Sequence, residues 1–151
     1  MIALVQKVQR GSVEVNGDIV GAIEQGFVVL VGACNNDEPA DALKLADKVH
    51  GLRVFEDSDG KMNLSLSDVG GCVLAISQFT LCADTSRGRR PSFDNALAPE
   101  PAQQLFTAFV ELLRAKGIHV ETGIFGAKML VRIENDGPVT LWLDSKMKRE
   151  K

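Results

Sequence analysis

The sequence has 151 residues, of which 45% are hydrophobic and 25% charged, a balance typical of one folded, soluble globular domain. This composition excludes a disordered, collagen-like or coiled-coil chain. Because the formal net charge is −3, a nucleic-acid partner would have to be held by a local basic patch.

The first third of the chain predicts strands followed by one helix. Residues 2–9 read as a half-buried strand, and the next two strand segments flank Asn16-Gly17, a pair that suits a tight hairpin turn. The continuous β-branched run over 26–33 predicts a central strand buried on both faces. Helical spacing of apolar residues predicts an amphipathic helix over 39–52, capped by Asp37.

The rest of the chain predicts more strands, a long loop and a second helix. The helix covers 100–116 and ends at Gly117. The aperiodic segment 83–99 predicts a loop, and loops of that length are usually functional or mobile. Strands are predicted at 53–55, 62–67, 72–77, 118–122, 128–134 and 139–143, and a frayed basic tail at 145–151. This pattern predicts a single α/β domain over 1–151, with sheet packed on sheet and helices on one side.

The three cysteines, Cys34, Cys72 and Cys82, form neither a C-x-x-C pair nor an even set. Their arrangement favours free thiols in a reducing compartment over a disulfide framework or a zinc site. The amino-terminal segment lacks the pattern of a signal peptide, and no run approaches 18 apolar residues. We therefore expect a cytoplasmic protein that does not contact the membrane.

Motifs for nucleotide triphosphates, dinucleotides, zinc proteases and α/β-hydrolases are absent from the sequence. His50 lies in the first predicted helix and His119 in a predicted strand, and neither has a partner at ligand spacing. We expect both to be structural or surface histidines. No metal site and no cofactor are predicted.

A buried strand turns polar at its carboxyl end, at Ser77, Gln78, Phe79 and Thr80. Such strand ends often contact ligands in α/β sheets, although the same side chains can simply bond nearby backbone. Thr80 is a candidate nucleophile only if a base lies within hydrogen-bond reach, and no adjacent residue supplies one.

Two further segments allow a functional and a structural interpretation. The segment Asn135-Asp136-Gly137-Pro138 reads as a turn between strands, and its Gly-Pro bond can be cis at modest cost. Arg87, Arg89 and Arg90 in the long loop either contact phosphates or form an ordinary solvated surface.

Together these segments resemble D-aminoacyl-tRNA deacylases over nearly the whole chain, from MIALVQKV through GKMNLSLSDVGG and ADTSRGRRPSF to TGIFGAKM. SQFTL and NDGPVT, in this order, match the two signature motifs of that family. The chain departs from the family at Lys7, where arginine is common, at Cys82, where a small or aromatic residue is usual, and in its longer basic tail.

The resemblance implies a homodimer of three-layer α/β/β sandwich domains with mixed sheets and two main helices. It implies hydrolysis of the ester between a D-amino acid, or glycine, and the terminal ribose of tRNA, with L-aminoacyl-tRNA rejected. The tRNA 2′-hydroxyl would assist the attack of water, and backbone amides near Phe79 and Thr80 would stabilise the oxyanion.

The residues that the resemblance places around the terminal adenosine and the ester are Ser77, Gln78, Phe79, Thr80, Phe125, Ala127 and Met129. Gly137 and Pro138 match a cis dipeptide that the family inserts into the pocket of the partner subunit.

Two rival functions remain open at this stage. A non-catalytic nucleic-acid binding module would use the arginine loop and the basic tail, and its binding would weaken strongly with salt. An esterase with a threonine nucleophile would form a covalent intermediate at Thr80.

Overall fold

The computed structural model describes residues 1–148. The strands are β1 (Ile2–Val15), β2 (Asp18–Ile23), β3 (Gly26–Gly32), β4 (Phe55–Glu56), β5 (Met62–Leu64), β6 (Cys72–Ser77), β7 (Val120–Thr122) and β8 (Leu130–Asp144). The helices are α1 (Pro39–Gly51), α2 (Leu66–Val69) and α3 (Pro99–Ala115), with a 3-10 helix at Phe79–Cys82. None of the helices in this part of the chain is long and apolar enough to cross a bilayer.

Six strands form one mixed sheet, in which β1 pairs with β2, β3 and β8. The first half of β1 pairs with β3 and its second half with β2, while β8 runs antiparallel along both halves. β6 lies parallel between β3 and β7. Because the long strand β1 pairs with three other strands, the sheet curls over itself. The short strands β4 and β5 form a separate pair.

The curled sheet creates two hydrophobic cores. Along β3, Phe27, Val29 and Val31 face the core beneath α1 and α3. The alternate residue Val28 faces a second core, formed between the two layers of the sheet with Leu74 and Ile76. Helices, sheet and sheet therefore make three layers, and the α/β/β sandwich with two main helices is confirmed.

The hairpin at Asn16-Gly17 is confirmed, since both residues have positive φ, and β3 is central and buried as predicted. The predicted division of the first and last strands of the chain was wrong. The two predicted amino-terminal strands are the single strand β1, and the strands at 128–134 and 139–143 are one strand, β8. The predicted turn between the latter is an irregularity within β8, because the residues on both sides pair with β1.

The predicted strand over 62–67 ends at Leu64, because Ser65 caps the short helix α2. The Ser65 hydroxyl accepts from the Asp68 amide, and the Asp68 carboxylate accepts from the Ser65 amide. This reciprocal arrangement, the capping box, favours a helix even where the apolar residues alternate.

Helix α1 begins after Glu38, not Asp37 as expected, with a capping box between Glu38 and Asp41. Asp37 instead accepts hydrogen bonds from the Met1 amine at 2.7 Å and from the Cys34 amide at 2.7 Å. Its side chain therefore ties the start of β1 to the segment that follows β3.

The expectation of a frayed tail is wrong for Ser145 and Lys146. Ser145 is buried, and its hydroxyl accepts from the Met1 amine and donates to Asp41, both at 2.7 Å. The Lys146 ammonium lies 2.9 Å from the same carboxylate group. Residues 149–151 of the predicted tail lie outside the described residues.

Cys34 and Cys82 form a disulfide, with their Cα atoms 5.7 Å apart, so the expectation of free thiols is wrong for this pair. Cys72 is free as expected. The pairing follows from topology, because β3 and β6 are parallel neighbours and the segments after them leave the sheet at the same edge. A separation of 48 residues in the sequence gives no sign of that proximity.

Candidate active site

A cavity of about 570 Å³ opens where β3 and β6 reach their carboxyl ends. Its walls are mostly apolar and come from both strand ends, the loop before α3, the first turns of α3 and the segment before β8. The lining residues are Met1, Val31, Ala33, Ile76, Ser77, Gln78, Phe79, Phe93, Ala96, Leu97, Ala98, Pro99, Ala102, Phe106, Phe125, Gly126, Ala127, Met129 and Val131. A volume of this size accommodates a small organic ligand.

The polar end of β6 forms one wall of this cavity. The Gln78 amide donates to the Val31 carbonyl at 2.8 Å, which continues the pairing with β3 by one residue before the chain turns into the 3-10 helix. A Cβ atom on Gly32 would lie 2.8 Å from the Gln78 carbonyl oxygen. Glycine at position 32 therefore lets the turn pack closely against the end of β3.

The backbone amides of Phe79 and Thr80 begin the 3-10 helix, where amides have no acceptor within the helix. Within residues 1–148 neither amide donates to another backbone or side-chain group. Two unpaired donors next to the cavity can bind an oxygen that acquires negative charge during a reaction.

Thr80 is exposed and does not line the cavity. Its hydroxyl accepts a hydrogen bond from the Gln78 side-chain amide. In the described part of the chain it makes no hydrogen bond with a carboxylate or an imidazole. The structure therefore provides no side-chain base that would activate Thr80 as a nucleophile.

Exposed aromatic rings stand at the mouth of the cavity. Phe79 is 56% exposed and packs edge-on against Phe93, with ring centroids 5.1 Å apart. Deeper in the wall, the ring centroids of Phe106 and Phe125 lie 6.4 Å apart. Flat apolar rings of this kind are suited to stacking on a nucleobase.

The opposite wall comes from the segment before β8. A turn in which the Ala127 amide donates to the Ile124 carbonyl places Phe125 and Ala127 at the cavity. Met129 lies over Gly123, where an added Cβ would be 2.5 Å from its sulfur atom. The structure thus brings together six of the predicted site residues: Ser77, Gln78, Phe79, Phe125, Ala127 and Met129.

Gly137 and Pro138 lie outside this cavity, on the exposed irregularity of β8. The peptide bond between them is cis, as the resemblance implies. The Asn135 side-chain amide closes the segment by donating to the carbonyls of Lys7 at 2.9 Å and Val139 at 3.0 Å. The Thr140 hydroxyl donates to the side-chain Oδ1 of Asn135 at 3.2 Å.

Lys7 is buried beneath this segment, with 6% of its surface exposed. Its ammonium donates to the Val54 carbonyl at 3.4 Å and lies 5.9 Å from the centre of the Phe55 ring. The side chain of Lys7, at a position where arginine is common in the family that the sequence resembles, therefore points into the protein toward β4.

The two histidines lie outside the cavity, as expected. His50 hydrogen-bonds to Ser67 at 3.1 Å, and the exposed His119 lies 3.5 Å from Glu121. No group of three or more metal-ligating side chains occurs among the residues that the structure describes.

Sequence reasoning did not identify Phe93, Leu97 or Phe106 as part of the site. Phe93 and Leu97 belong to the aperiodic loop, and the Leu97 amide donates to the Ala33 carbonyl at 3.0 Å. Phe106 lies on the face of α3 whose apolar spacing indicates core. No sequence signal separates such residues from ordinary loop or core positions.

Comparison with known proteins gives a consistent result. A family model described as D-Tyr-tRNA(Tyr) deacylase matches residues 4–144. A D-aminoacyl-tRNA deacylase from Fervidobacterium nodosum is 58% identical over 146 residues, covering 97% of this chain and 98% of the relative. One from Thermus aquaticus is 55% identical over 148 residues, covering 98% and 97%.

Solved structures share the fold. The structure of a c-Myc DNA Unwinding Element Binding Protein has a TM-score of 0.91 and 40% identity, and the match covers 97% of this chain and all of the other. A probable eukaryotic D-amino acid tRNA deacylase has a TM-score of 0.79 at 17% identity, covering 94% and 97%, which shows the common fold.

Proposed function

This chain belongs to the D-Tyr-tRNA(Tyr) deacylase family, and from that membership and the cavity we propose that it is an aminoacyl-tRNA editing hydrolase. It cleaves the ester between a D-amino acid and the terminal ribose of tRNA. The products are the free D-amino acid and a tRNA that can be charged again.

The observation that carries this proposal is the pair of unpaired amides of Phe79 and Thr80 beside an apolar cavity that lacks a side-chain base within residues 1–148. An aminoacyl ester is already activated, so orientation and oxyanion stabilisation supply much of the acceleration. Water attacks the ester carbonyl, the neighbouring 2′-hydroxyl of the ribose orients that water, and the 3′-oxygen leaves with a proton.

The cavity residues hold the end of the tRNA. Ser77, Gln78 and Phe79 bind near the ester, while Phe125, Ala127 and Met129 form the wall against the terminal adenosine. The volume of about 570 Å³ and the aromatic rings support this role, since a nucleoside presents both a flat base and an apolar edge. Neither a cofactor nor a metal takes part.

We propose that the enzyme acts as a homodimer in which Gly137 and Pro138 complete the site of the partner subunit. Both residues are exposed and lie outside the cavity of their own chain, so a role at a cavity requires a second copy. A two-fold dimer satisfies this condition twice, once for each subunit.

The dipeptide excludes L-amino acids. Mirror-image amino acids have the same volume and polarity, so rejecting one hand is simpler than recognising many D side chains. The carbonyls of Gly137 and Pro138 bind the substrate amine and occupy the direction that an L side chain would take. D side chains of any size, and glycine, then remain substrates.

The protein acts in the cytoplasm, where aminoacyl-tRNA is used. Deacylation of D-tyrosyl-, D-aspartyl-, glycyl- and L-tyrosyl-tRNA by the purified dimer tests the proposal. We expect the first three to be cleaved and L-tyrosyl-tRNA to persist. Rapid cleavage of L-tyrosyl-tRNA, or no cleavage of any D-aminoacyl-tRNA, would contradict it.

A second candidate is a nucleic-acid binding module that breaks no bond. It is favoured by three loop arginines without a partner in the described part of the chain, and by the name of the structural neighbour, a DNA-unwinding-element binding protein. Binding of nucleic acid without turnover of any aminoacyl ester would support this alternative.

A further inference from the structure

The arginines within residues 1–148 fall into two groups. Arg10, Arg114 and Arg132 pair with Glu134, Glu111 and Glu14, and Arg53 bonds Asn63. In contrast, Arg87, Arg89 and Arg90 are all exposed and make no hydrogen bond or ion pair within residues 1–148. Three guanidinium groups without acceptors are thus concentrated at the tip of one loop, on a chain whose net charge is −3.

The Asp84 carboxylate at the base of this loop forms no ion pair with the three arginines within residues 1–148. The Asp84 carboxylate accepts from the Ser86 amide at 2.9 Å. Hydrogen bonds from Ser86 lower the pKa of Asp84 below its usual value, so this carboxylate stays ionised and engaged with the backbone. The three exposed guanidinium groups are therefore available to a partner.

The base of the loop is fixed beside the cavity. Asp84 and Ser92 exchange two backbone hydrogen bonds of 2.8 Å, which close the tip over residues 85–91. Phe93, which follows at once, lines the cavity and packs on Phe79. Arg90 is three residues from Phe93, so their Cα atoms are at most about 11 Å apart. A ligand that extends out of the cavity past Phe93 therefore passes within reach of the arginine side chains.

We propose that Arg87, Arg89 and Arg90 bind the phosphates of the single-stranded 3′ end of tRNA as it leads into the cavity. This inference rests on the proposed function. Guanidinium groups bind phosphate oxygens in a bidentate manner, and phosphate contacts position a strand without reading its sequence. Such a subsite strengthens binding of every tRNA equally and contributes nothing to the choice between D and L.

The experiment compares three proteins: the native chain, the triple variant Arg87→Gln/Arg89→Gln/Arg90→Gln, and a control variant Arg10→Gln/Lys48→Gln/Lys61→Gln. The control removes the same charge from exposed positions that do not line the cavity. Binding is measured at several salt concentrations with non-aminoacylated tRNA and with a tRNA that lacks its single-stranded 3′ end. Deacylation is measured with D-tyrosyl-tRNA and with D-tyrosyl-adenosine, which carries no phosphate.

We expect the loop variant to bind non-aminoacylated tRNA about tenfold or more weakly than the native chain. The slope of log K against log salt concentration should also be smaller in magnitude by about 2, because three phosphate contacts are lost. Truncation of the tRNA should remove this difference between the proteins. For D-tyrosyl-tRNA the KM should rise while kcat changes little, and D-tyrosyl-adenosine should be cleaved as by the native chain.

Equal weakening in the control variant, or an equal loss on truncated tRNA, would overturn the phosphate subsite. A matching loss with D-tyrosyl-adenosine would show that the loop shapes the cavity instead. If the native chain cleaves neither ester, the proposed function fails, while the binding comparison still decides whether the loop holds the 3′ strand.

Discussion

Asn135 and Val139 are joined across the Gly137-Pro138 segment by a side-chain to backbone hydrogen bond of 3.0 Å. The same amide nitrogen reaches the Lys7 carbonyl in β1 at 2.9 Å. The Asn135 side chain therefore closes the base of the Gly137-Pro138 segment and also fixes the position of that segment relative to β1.

Replacement of Asn135 tests this contact. We expect Asn135→Ala to lower the rate of D-tyrosyl-tRNA deacylation tenfold or more, because two carbonyls lose their donor, while the free energy of unfolding falls by only about 1–2 kcal/mol. Asn63→Ala is the matched control, since it removes an asparagine side chain that accepts from Arg53 outside the cavity. Normal activity of Asn135→Ala would show that the segment needs no such support.

The role of Thr80 is tested by Thr80→Val together with a modified substrate. Because its hydroxyl contacts only the Gln78 side chain and lacks a base within residues 1–148, the variant should keep activity within about tenfold. A tRNA whose terminal 2′-hydroxyl is replaced by hydrogen should not be deacylated by either protein. Trapping of an aminoacyl group on Thr80 would establish a covalent mechanism instead.

Subunit exchange tests whether the site is shared. Gln78→Ala and Pro138→Ala should each be inactive alone, since each damages one side of every site. After mixing and exchange, heterodimers contain one undamaged site, so about a quarter of the native activity should return. A monomer that is fully active at assay concentration would refute the shared site.

The disulfide makes a prediction about stability. Cross-links that close loops of this length contribute roughly 2–4 kcal/mol, so Cys82→Ser should lower the free energy of unfolding by about that amount. Treatment of the native chain with a dithiol should produce the same loss, which denaturant titration measures. Cys72→Ser, at the free cysteine, should behave like the native chain. If reduction leaves stability unchanged, the bond does not constrain the chain in solution.

Acid stability depends on Asp41. Its burial favours the neutral form, but hydrogen bonds from Ser145, Lys146 and the Glu38 amide outweigh that effect and lower its pKa from 3.8 to about 2. The unfolded chain therefore binds this proton first, and stability is lost as the pH falls from about 4 to about 2, by at most about 2 kcal/mol. Asp41→Asn should show a shallower loss over that window in denaturant titrations. An identical pH profile would contradict the assignment.

Local patterns in the sequence predicted much of the fold. Helix α1, strand β3 and the hairpin at Asn16-Gly17 depend on spacing and turn chemistry within a few residues, and all three were correct. The continuity of β8 through Gly137-Pro138 was missed, because Gly and Pro indicate a turn in isolation. Only pairing with β1 on both sides keeps the segment within one strand.

The candidate site shows the same division. Ser77, Gln78 and Phe79 stood out because polarity changes abruptly at a strand end. Phe93 is brought to the cavity by hydrogen bonds between distant segments. The disulfide between Cys34 and Cys82 depends on the parallel arrangement of β3 and β6. Contacts of this kind are set by the tertiary fold, so no local spacing reveals them.

The pairing of β1 with β8 also bears on how the protein reaches its active form. Ile2 lies opposite Asp144, and this ladder is the most extensive contact between any two elements described here. Bringing β1 and β8 together closes a long loop, and the chain loses conformational entropy before the stabilising contacts between the strands form. Folding is slow for this reason. Met129, just before β8, and Val131, near its start, also line the cavity. A partly synthesised chain therefore has no complete cavity, and the site forms only when β8 has left the ribosome and docked on β1.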